Sequence, residues 1–467
     1  ATTTSVGLWL LWRSHRDHNP TLDHNGLMSL SSLDALAAAT PASRNRYVDF
    51  LRALAILVVA CGHWLLAAVV VRDGQLIPNA LLNIASWTHP LTWVFQVMPI
   101  FFFVGGYANA LSWRSARARG GSYAGWLRAR ILRLGTPVVP LLLVWLVICT
   151  AAYLGGVSPT TLRTASQVAL VPTWFLAAYV LVVATTPWAL ALWERFGWWA
   201  IAAGLALGAL NDAISLGAGP FGEGVFAVGF LNYLVVWGVV HQLGFAWRDG
   251  RLDGAGRRAA VAAIGFVVLG ILVWLLPYPV SMIGVDTIAV NNSYPTRVTL
   301  GFLGLGQAGV LLLAEPWAQR WLQRERPWKA TILVNARIMT LYLWHLTAMV
   351  LVIGLLLLMG GLGLHAEPLT GMWWALRPLW YALLIGVTIG FIRIWGRIES
   401  IPRDDRPPPP LWRPLLATVL LCGGLGVMAA QGIVSSVGLR WWWPLLPIAG
   451  VALLGRPTSS HASTKGG

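Results

Sequence analysis

The residues with the clearest chemical potential lie in one apolar segment, YVDFLRALAILVVACGHWLL, which covers residues 47–66. An ionisable side chain is costly in such surroundings, and where one is kept it usually has a function. Arg52 and His63 are eleven residues apart, which on a helix places both on one face, about 16 Å apart along the axis. Asp49 lies one turn before Arg52 on much the same face. The segment therefore presents a cation near one end and a potential base deeper inside.

Composition indicates that this segment crosses a membrane. The 467 residues are 57% hydrophobic and 11% charged, and a soluble protein of this length could not bury so much apolar surface. We predict an all-α, polytopic integral membrane protein with a ten-helix core and two extra C-terminal helices. The twelve predicted spans are 47–71, 87–111, 134–155, 168–191, 197–212, 224–244, 259–281, 298–315, 331–360, 373–392, 414–432 and 441–455.

Basic residues are distributed unevenly among the loops that join these spans. Twenty lie on one set of alternating loops, whereas the opposite set holds Arg72, Arg163, Arg297 and Arg440. The positive-inside rule places the richer set, and both termini, in the cytoplasm. The net charge of +16 is thus explained by short basic loops between apolar runs, and we expect no nucleic-acid partner.

The predicted spans leave little of the chain for other domains. We predict a disordered cytoplasmic N-terminal tail at 1–45, a transmembrane domain at 46–400, a proline-rich cytoplasmic linker at 401–414, a transmembrane hairpin at 415–456 and a cytoplasmic tail at 457–467. The three cysteines lie inside apolar runs without metal-ligand spacing, so no metal site is expected.

Five short motifs follow one another in order between residues 45 and 395. They are D-x-x-R-x10-H in YVDFLRALAILVVACGHW; Phe101, Phe102, Gly105, Gly106 and Tyr107 in MPIFFFVGGYANALSW; Arg130, Arg133 and Pro137 in WLRARILRLGTPVVP; Trp174, Phe175 and Leu176 in PTWFLAAYVLVVATTP; and Tyr342, Leu343 and His345 in ARIMTLYLWHLTAMV. In this order and spacing they closely resemble the membrane acyltransferase 3 family, the bacterial integral-membrane O-acyltransferases. No SGNH-type extension accompanies them.

The resemblance implies an enzyme of the bacterial cytoplasmic membrane. It would move an acyl group, acetyl or another short acyl, from cytosolic acyl-CoA to a hydroxyl of a glycan, glycolipid or glycoside. Two positions depart from the family pattern. Gly105 replaces the usual serine of the second-helix motif, and Tyr179 stands where many members have a glutamate. The roles of those two family side chains therefore cannot be transferred to this chain.

The predicted catalytic residues are His63, Arg52, Asp49 and His345. His63 would act as general base on the acceptor hydroxyl. His345 is predicted at comparable depth on the ninth span, where it could orient the acceptor, stabilise the oxyanion or serve as a second base. Asp49 could instead simply pair with Arg52.

A second group of residues is predicted to bind acyl-CoA, because phosphates require cations at the inner face. Arg337 is predicted about one and a half turns inside the ninth span, where an anionic ligand or Asp49 could be its partner. The full predicted set is Arg128, Arg130, Arg133, Arg337 and Tyr107.

The remaining predictions concern the acceptor and the rival functions. Asp286, Asn291 and Asn292 of an outer loop are expected to line the acceptor side. Cys61 is not expected to carry an acyl group, because two residues along a helix turn it about 200° away from His63. A transporter or flippase could use Arg52, His63 and Arg337 as a relay, and an inactive scaffold would need none of these residues. Membrane lipids are the other expected partners.

Overall fold

The computed structural model describes residues 30–41, 43–217, 224–399, 404, 406–435 and 438–455. Among these residues there are two short antiparallel strand pairs, β1 (Val70–Arg72) with β2 (Gln75–Ile77) and β3 (Val434–Ser435) with β4 (Gly438–Leu439). The α-helices, in chain order, are α1 (Leu30–Ala38), α2 (Arg46–Leu66), α3 (Leu81–Ile84), α4 (Thr92–Phe95), α5 (Met98–Ala118), α6 (Tyr123–Gly135), α7 (Val138–Leu154), α8 (Pro159–Leu170), α9 (Thr173–Ala184), α10 (Thr186–Phe196), α11 (Trp198–Leu216), α12 (Asn232–Arg248), α13 (Ala255–Leu275), α14 (Val298–Trp321), α15 (Glu325–Ala336), α16 (Ile338–Leu358), α17 (Gly371–Trp395), α18 (Trp412–Gln431) and α19 (Trp442–Leu453).

The helices have the lengths and composition that a membrane requires. Among the described residues, nine spans are long and apolar enough to cross a membrane. The number is eleven if the bent pairs α6–α7 and α8–α9 each form one span. These pairs bend by 42° and 44°. The prediction of an all-α polytopic membrane protein is confirmed. Of the two C-terminal helices, α18 is long enough to span, whereas α19 has only 12 residues.

The structure changes several of the predicted boundaries. Residues 123–135, predicted as part of a basic loop, form α6, which Ser122 caps by accepting a hydrogen bond from the Gly125 N–H. The predicted span 168–191 is divided among α8, α9 and α10, with Pro172 at the first break. The predicted span 331–360 is interrupted at Arg337.

The predicted N-terminal tail is partly helical. Residues 30–38 form α1, which packs on α15 through an ion pair between Asp34 and Lys329. Beside it the indole of Trp328 donates to Oγ1 of Thr40 at 3.0 Å. The prediction of disorder was therefore wrong for residues 30–38, because these contacts offset the cost of ordering the segment. The predictions for residues 1–29 and 457–467 lie outside the described residues.

Opposite charges join the helices at one end of the bundle. Arg114 at the end of α5 binds Glu194 of α10 at 2.8 Å and Asp249, just beyond α12, at 2.5 Å. Near the end of α14, Glu315 binds Arg258 of α13 at 2.9 Å. We call this the basic end, and it corresponds to the loops predicted to be cytoplasmic.

The opposite end is held by a buried ion pair. Asp212, fully buried, contacts Nη1 of Arg297 at 3.3 Å and accepts from the hydroxyl of Tyr278 at 3.1 Å. Arg297, predicted in an outer loop, is only 2% exposed. The pair connects α11 to the start of α14 and fixes the connection that precedes α14.

Helices α5 and α12 cross with their backbones in contact. A Cβ atom built on Gly106 would lie 1.8 Å from the carbonyl oxygen of His241, and one on Gly244 would lie 2.2 Å from that of Phe103. Small residues allow such close crossing in membrane bundles. This crossing holds α5 in place next to α2, the helix that carries the predicted site.

Candidate active site

Two histidines from distant parts of the chain form a pair inside the bundle. Nδ1 of His63 on α2 lies 2.8 Å from Nε2 of His345 on α16. The two rings are nearly parallel, with 5.1 Å between their centroids and 5° between their planes. The other ring nitrogen of His345, Nδ1, lies 2.6 Å from the carbonyl oxygen of Tyr342. The structure therefore brings together two of the residues predicted to be catalytic.

This chain of contacts assigns the tautomers of the neutral pair. A carbonyl oxygen can only accept, so Nδ1 of His345 carries the proton that it donates to Tyr342. Nε2 of His345 is then the acceptor and takes its hydrogen bond from Nδ1 of His63. Nε2 of His63 is left with a free lone pair, which is the form that a general base requires.

Only one of the two histidines can meet a substrate. His345 is fully buried, and both of its ring nitrogens are already engaged. His63 is only half-buried, and its Nε2 makes no hydrogen bond within the part of the chain that the structure describes. A substrate can therefore reach His63, whereas His345 is positioned to hold the ring of His63.

Indole hydrogen bonds fix the backbone around the pair. Trp64 donates from Nε1 to the carbonyl oxygen of His345 at 3.0 Å, and Trp380 of α17 donates to that of Trp64 at 3.0 Å. The hydroxyl of Tyr342 donates to the carbonyl oxygen of Pro172. These hydrogen bonds connect α2 to α16 and α17, and α16 to the break between α8 and α9. They are made next to the two histidines in the chain, or by the backbone of His345 itself.

A polar network surrounds Arg52 three turns before His63. Arg52 donates from Nε to Oδ1 of Asn335 at 2.7 Å and from Nη2 to Oδ1 of Asp49 at 3.1 Å. Oδ2 of Asp49 accepts from Nε of Arg44 at 2.6 Å. Asn335 also donates to the carbonyl oxygen of Asp49 at 2.9 Å. The carboxylate of Asp49 is thus fully used in orienting two arginines.

Arg130 and Arg133 are placed to complete this cationic region. Both, on α6, are without a hydrogen bond or ion pair within the described ranges, although the guanidinium of Arg130 lies over the ring of Trp126 at 5.6 Å. The charge of Arg133 acts on both Arg52 and Arg130. Nη1 of Arg52 makes no hydrogen bond to the described residues, and 34% of that side chain is exposed. The three guanidinium groups therefore retain donors for an anion.

Arg128, predicted with the donor-binding arginines, has a different environment. Its Nε lies 2.6 Å from Oδ2 of Asp404, and its two terminal nitrogens donate to the carbonyl oxygens of Pro407 and Arg406, each at 2.8 Å. The side chain is only 6% exposed. Arg128 thus fastens the 404–407 segment to α6, and we do not include it among the residues proposed to bind the donor.

We expect acid to release this attachment. Burial alone would raise the pKa of Asp404, but the hydrogen bond from Arg406 and the charge of Arg128 outweigh it, so the pKa is lowered. A lowered pKa in the folded state stabilises the protein above the unfolded pKa, and this contribution is lost as pH falls through the lowered value. The Tm difference between wild type and Asp404→Asn should therefore be largest near about pH 7 and shrink towards about pH 3.

A control for the acid experiment is Asp253→Asn. The Asp253 carboxylate is 71% exposed and lies 3.8 Å from Arg258, so its removal should change Tm little at any pH. A constant Tm difference for Asp404→Asn across the whole range would contradict the prediction.

Arg337 and Tyr107, also predicted to bind the donor, contact residues outside the Arg52 network. Arg337 lies at the break between α15 and α16, not inside a span, and its Nη1 donates to the carbonyl oxygen of Ala336 at 3.0 Å. Its side chain lies against Gly396, close to Glu399, and its predicted partner Asp49 is occupied by two other arginines. The ring of Tyr107 packs on Trp247, with 4.7 Å between the centroids. Neither residue contributes a group to the Arg52 network.

The predicted acceptor residues divide into one surface group and two structural ones. Asp286 binds the side chain of Asn83 through both its carboxylate and its N–H. Asn291 accepts from the N–H groups of Ser293 and Tyr294 and so closes a turn. Asn292 is fully buried and donates to two carbonyl oxygens, which makes it part of the core of its loop.

The two departures from the family pattern contact each other. A Cβ atom on Gly105 would lie 2.7 Å from both Cε2 and the hydroxyl oxygen of Tyr179. That hydroxyl accepts from Nδ2 of Asn109 at 3.3 Å, and the ring stacks on Phe175, with 5.6 Å between centroids. Tyr179 therefore fills the space that a side chain at position 105 would need. Only the three-dimensional contact, not the spacing of 74 residues, could reveal this.

We expect Gly105→Ala to destabilise the protein by about 1–3 kcal/mol, because its Cβ would overpack against the held ring of Tyr179. Tyr179→Ala in the same chain should remove most of that penalty, which a double-mutant cycle of Tm values would measure. Gly62→Ala is the matched control, since a Cβ there meets nothing within 4 Å. Additive effects of Gly105→Ala and Tyr179→Ala would contradict the prediction.

Within the part of the chain that the structure describes, no three His, Cys, Asp or Glu side chains come together as a metal site would require. The site instead consists of a histidine pair and a separate group of arginines, connected by one helix.

These features define a multi-pass membrane protein with a histidine pair and a group of arginines in its interior. A family model described as an acyltransferase domain, Acyl_transf_3, matches residues 45–395 of the 467. The chain belongs to the acyltransferase 3 family, which confirms the resemblance seen in the sequence. Comparisons with curated proteins and with solved structures found no match.

Proposed function

We propose that this acyltransferase moves a short acyl group, acetyl in the simplest case, from cytosolic acyl-CoA to a hydroxyl of a glycan, glycolipid or glycoside, in a bacterial cytoplasmic membrane. The observation that carries the proposal is the contact of His63 with His345, with His345 in turn bound to the Tyr342 carbonyl. It leaves Nε2 of His63 unprotonated, on a side chain that is only half-buried.

The chemistry requires one base and no covalent enzyme intermediate. Nε2 of His63 takes the proton of the acceptor hydroxyl while the oxygen attacks the thioester carbonyl. The tetrahedral intermediate collapses, the C–S bond breaks, and the departing thiolate takes the proton from His63. The His63 cation formed in between keeps its Nδ1–H bond to His345, which is therefore a positioning residue.

The donor enters at the basic end in this proposal. Arg52, Arg130 and Arg133 retain donors for the phosphates, and guanidinium groups suit phosphate oxygens geometrically. Arg52 and His63 lie on the continuous helix α2, about 16 Å apart along its axis. That rise is of the same order as an extended pantetheine arm. Asp49 and Asn335 orient Arg52.

We expect Arg130→Gln/Arg133→Gln to raise KM for acyl-CoA by about 10²-fold, because two charge-assisted hydrogen bonds would be lost. The value of kcat should change little, since neither side chain lies near the histidine pair. Arg251→Gln is the control, because it removes one exposed charge at the same end of the bundle. An unchanged KM in the double variant would count against donor entry at this place.

The decisive test is acyl transfer by the purified protein in liposomes. Labelled acetyl-CoA and a mixture of glycoside and glycolipid acceptors are supplied, and free CoA and acylated product are measured. Stoichiometric release of CoA with acylated product supports the proposal. Movement of a substrate across the liposome without CoA release would support the transporter, and neither activity would support the scaffold.

A further inference from the structure

A polar pocket lies beyond the end of the helix that carries His63. Its volume is about 370 Å³, and it is bounded by the β1–β2 hairpin, α3 and the segment around Glu367. We call it the hairpin pocket. Ala68, one residue beyond the C-cap of α2, is one of its lining residues. The four residues from His63 to Ala67 correspond to about 6 Å along a helix axis.

The pocket is at the end of the bundle opposite the arginines. Arg72 in its wall forms two contacts with Glu367, from Nε to Oε1 at 2.7 Å and from Nη2 to Oε2 at 2.5 Å. Because these two charges neutralise each other, the wall offers no excess cation for an anionic ligand. The mechanism proposed above uses no residue of this pocket.

The remaining polar wall is formed by the amides of Asn79 and Asn83, and Asp286 lies behind Asn83, outside the residues that line the pocket. Oδ1 of Asn79 accepts from the Ala80 N–H at 2.8 Å and from Nδ2 of Asn83 at 3.0 Å. Nδ2 of Asn83 also donates to Oδ2 of Asp286 at 2.8 Å. These bonds use both protons of the Asn83 amide. Within the described ranges, Nδ2 of Asn79 and Oδ1 of Asp286 make no hydrogen bond.

This set of groups matches the hydrogen-bonding capacity of a sugar. A hydroxyl donates and accepts at once, so a ring with neighbouring hydroxyls pairs well with a planar amide donor beside a carboxylate acceptor. The volume is near the lower limit for small-molecule sites, which restricts the occupant to one or two rings. The Asp286 carboxylate, which lies behind Asn83, would repel an acidic sugar.

We propose that the hairpin pocket binds the acceptor, and that it selects a neutral, hydroxyl-rich sugar residue. The inference rests on the acyltransferase function proposed above and specifies its acceptor. The sugar can belong to a soluble glycoside or to a membrane glycolipid, since both present the same ring to the pocket. Asn79 and Asp286 are specificity-determining residues in this proposal.

The first experiment uses the full chain in liposomes with acetyl-CoA. The soluble probes are methyl glycosides of glucose, galactose, mannose, rhamnose and N-acetylglucosamine, each neutral, and of glucuronic and galacturonic acid. The same neutral sugars on octadecyl chains form the lipid-anchored arm. We expect acylated product from at least one neutral sugar, in one or both arms, and at least tenfold less from the acidic ones. Preferred acylation of the acidic sugars would overturn the assignment.

The second experiment uses Asn79→Asp. The aspartate retains the oxygen that caps Ala80 and binds Asn83, so the hairpin should fold, but the free amide donor is lost. We expect KM for the neutral sugar to rise about five- to tenfold, with KM for acetyl-CoA unchanged. Asp286→Asn should reduce the discrimination against acidic sugars, because the repelling charge is removed.

The control for both variants is Asp73→Asn. Asp73 is exposed at the hairpin tip with φ +50°, a conformation that asparagine adopts readily, and it does not line the pocket. Wild-type transfer with an unchanged acceptor KM in Asn79→Asp would refute only the pocket. Absence of CoA release with every acceptor would refute the proposed function as well.

Discussion

Replacement of His63 by alanine is expected to lower the rate of acyl transfer by about 10²- to 10⁴-fold, the usual contribution of a positioned general base. The reason is geometric: within the described residues, only His63 of the pair has a ring nitrogen without a hydrogen bond, and His63 is half-buried whereas His345 is fully buried. KM for acyl-CoA should stay within about twofold, because the arginines that would bind the donor lie about 16 Å away along α2. Rates of CoA release in liposomes measure both quantities.

Substitutions of His345 separate positioning from direct catalysis. In His345→Gln the side-chain oxygen can still accept from Nδ1 of His63, whereas in His345→Leu nothing can. We expect the glutamine variant to retain several times more activity than the leucine variant, mainly through kcat. Equal losses in the two variants would show that His345 acts only through packing.

Cys61→Ala is the matched control on the same helix. The thiol is exposed and lies two residues from His63, so it faces a different side of α2. Its removal should leave the rate unchanged. A loss comparable to that of His63→Ala would point to an acyl-cysteine intermediate and contradict base catalysis. A cellular phenotype that survives His63→Ala would instead favour the inactive scaffold.

Gly106→Ala is expected to prevent stable folding, with a destabilisation of several kcal/mol. The added Cβ would lie 1.8 Å from the backbone carbonyl oxygen of His241, and a backbone atom cannot rotate away as a side chain can. Helices α5 and α12 would have to separate along the whole crossing. The expected result is loss of monodisperse protein in detergent, or a much lower Tm if some protein is recovered.

Gly238→Ala tests whether this effect is specific. Gly238 lies on α12, near the crossing, but a Cβ there meets no atom within 4 Å. The variant should fold with a Tm close to that of wild type, because alanine has the higher helix propensity. An equal loss of Tm in Gly238→Ala and Gly106→Ala would contradict the prediction. The backbone contact at the crossing would then not explain the effect of Gly106→Ala.

The sequence predicted the elements that depend on local pattern. The apolar run with Asp49, Arg52 and His63 is one helix, Arg46–Leu66, with Asn45 as its N-cap. What could not be predicted is the partner of each polar group, because His63 and His345 are 282 positions apart. Asn335, which binds both Arg52 and Asp49, carries no distinctive signal in the run VNARIMT.

The different roles of the α6 arginines could have been predicted from helical periodicity. On a helix Arg130 and Arg133 are three residues apart and share a face, whereas Arg128 is turned about 200° from Arg130. The span pattern predicts a basic loop here, and helical periodicity has no meaning in a loop. Asp404, the partner of Arg128, lies in a proline-rich stretch whose position no local rule specifies.

Because Gly105 and Tyr179 are in contact, we expect substitutions at these two positions to be correlated among homologues. Because one ring occupies the volume that a second side chain would need, neither site can change freely while the other stays as it is. Homologues should therefore fall into two groups, those with a hydroxyl at the first position and a slimmer residue at the second, and those with glycine and an aromatic ring. Such paired exchange would make this position pair a marker for a distinct branch of related enzymes.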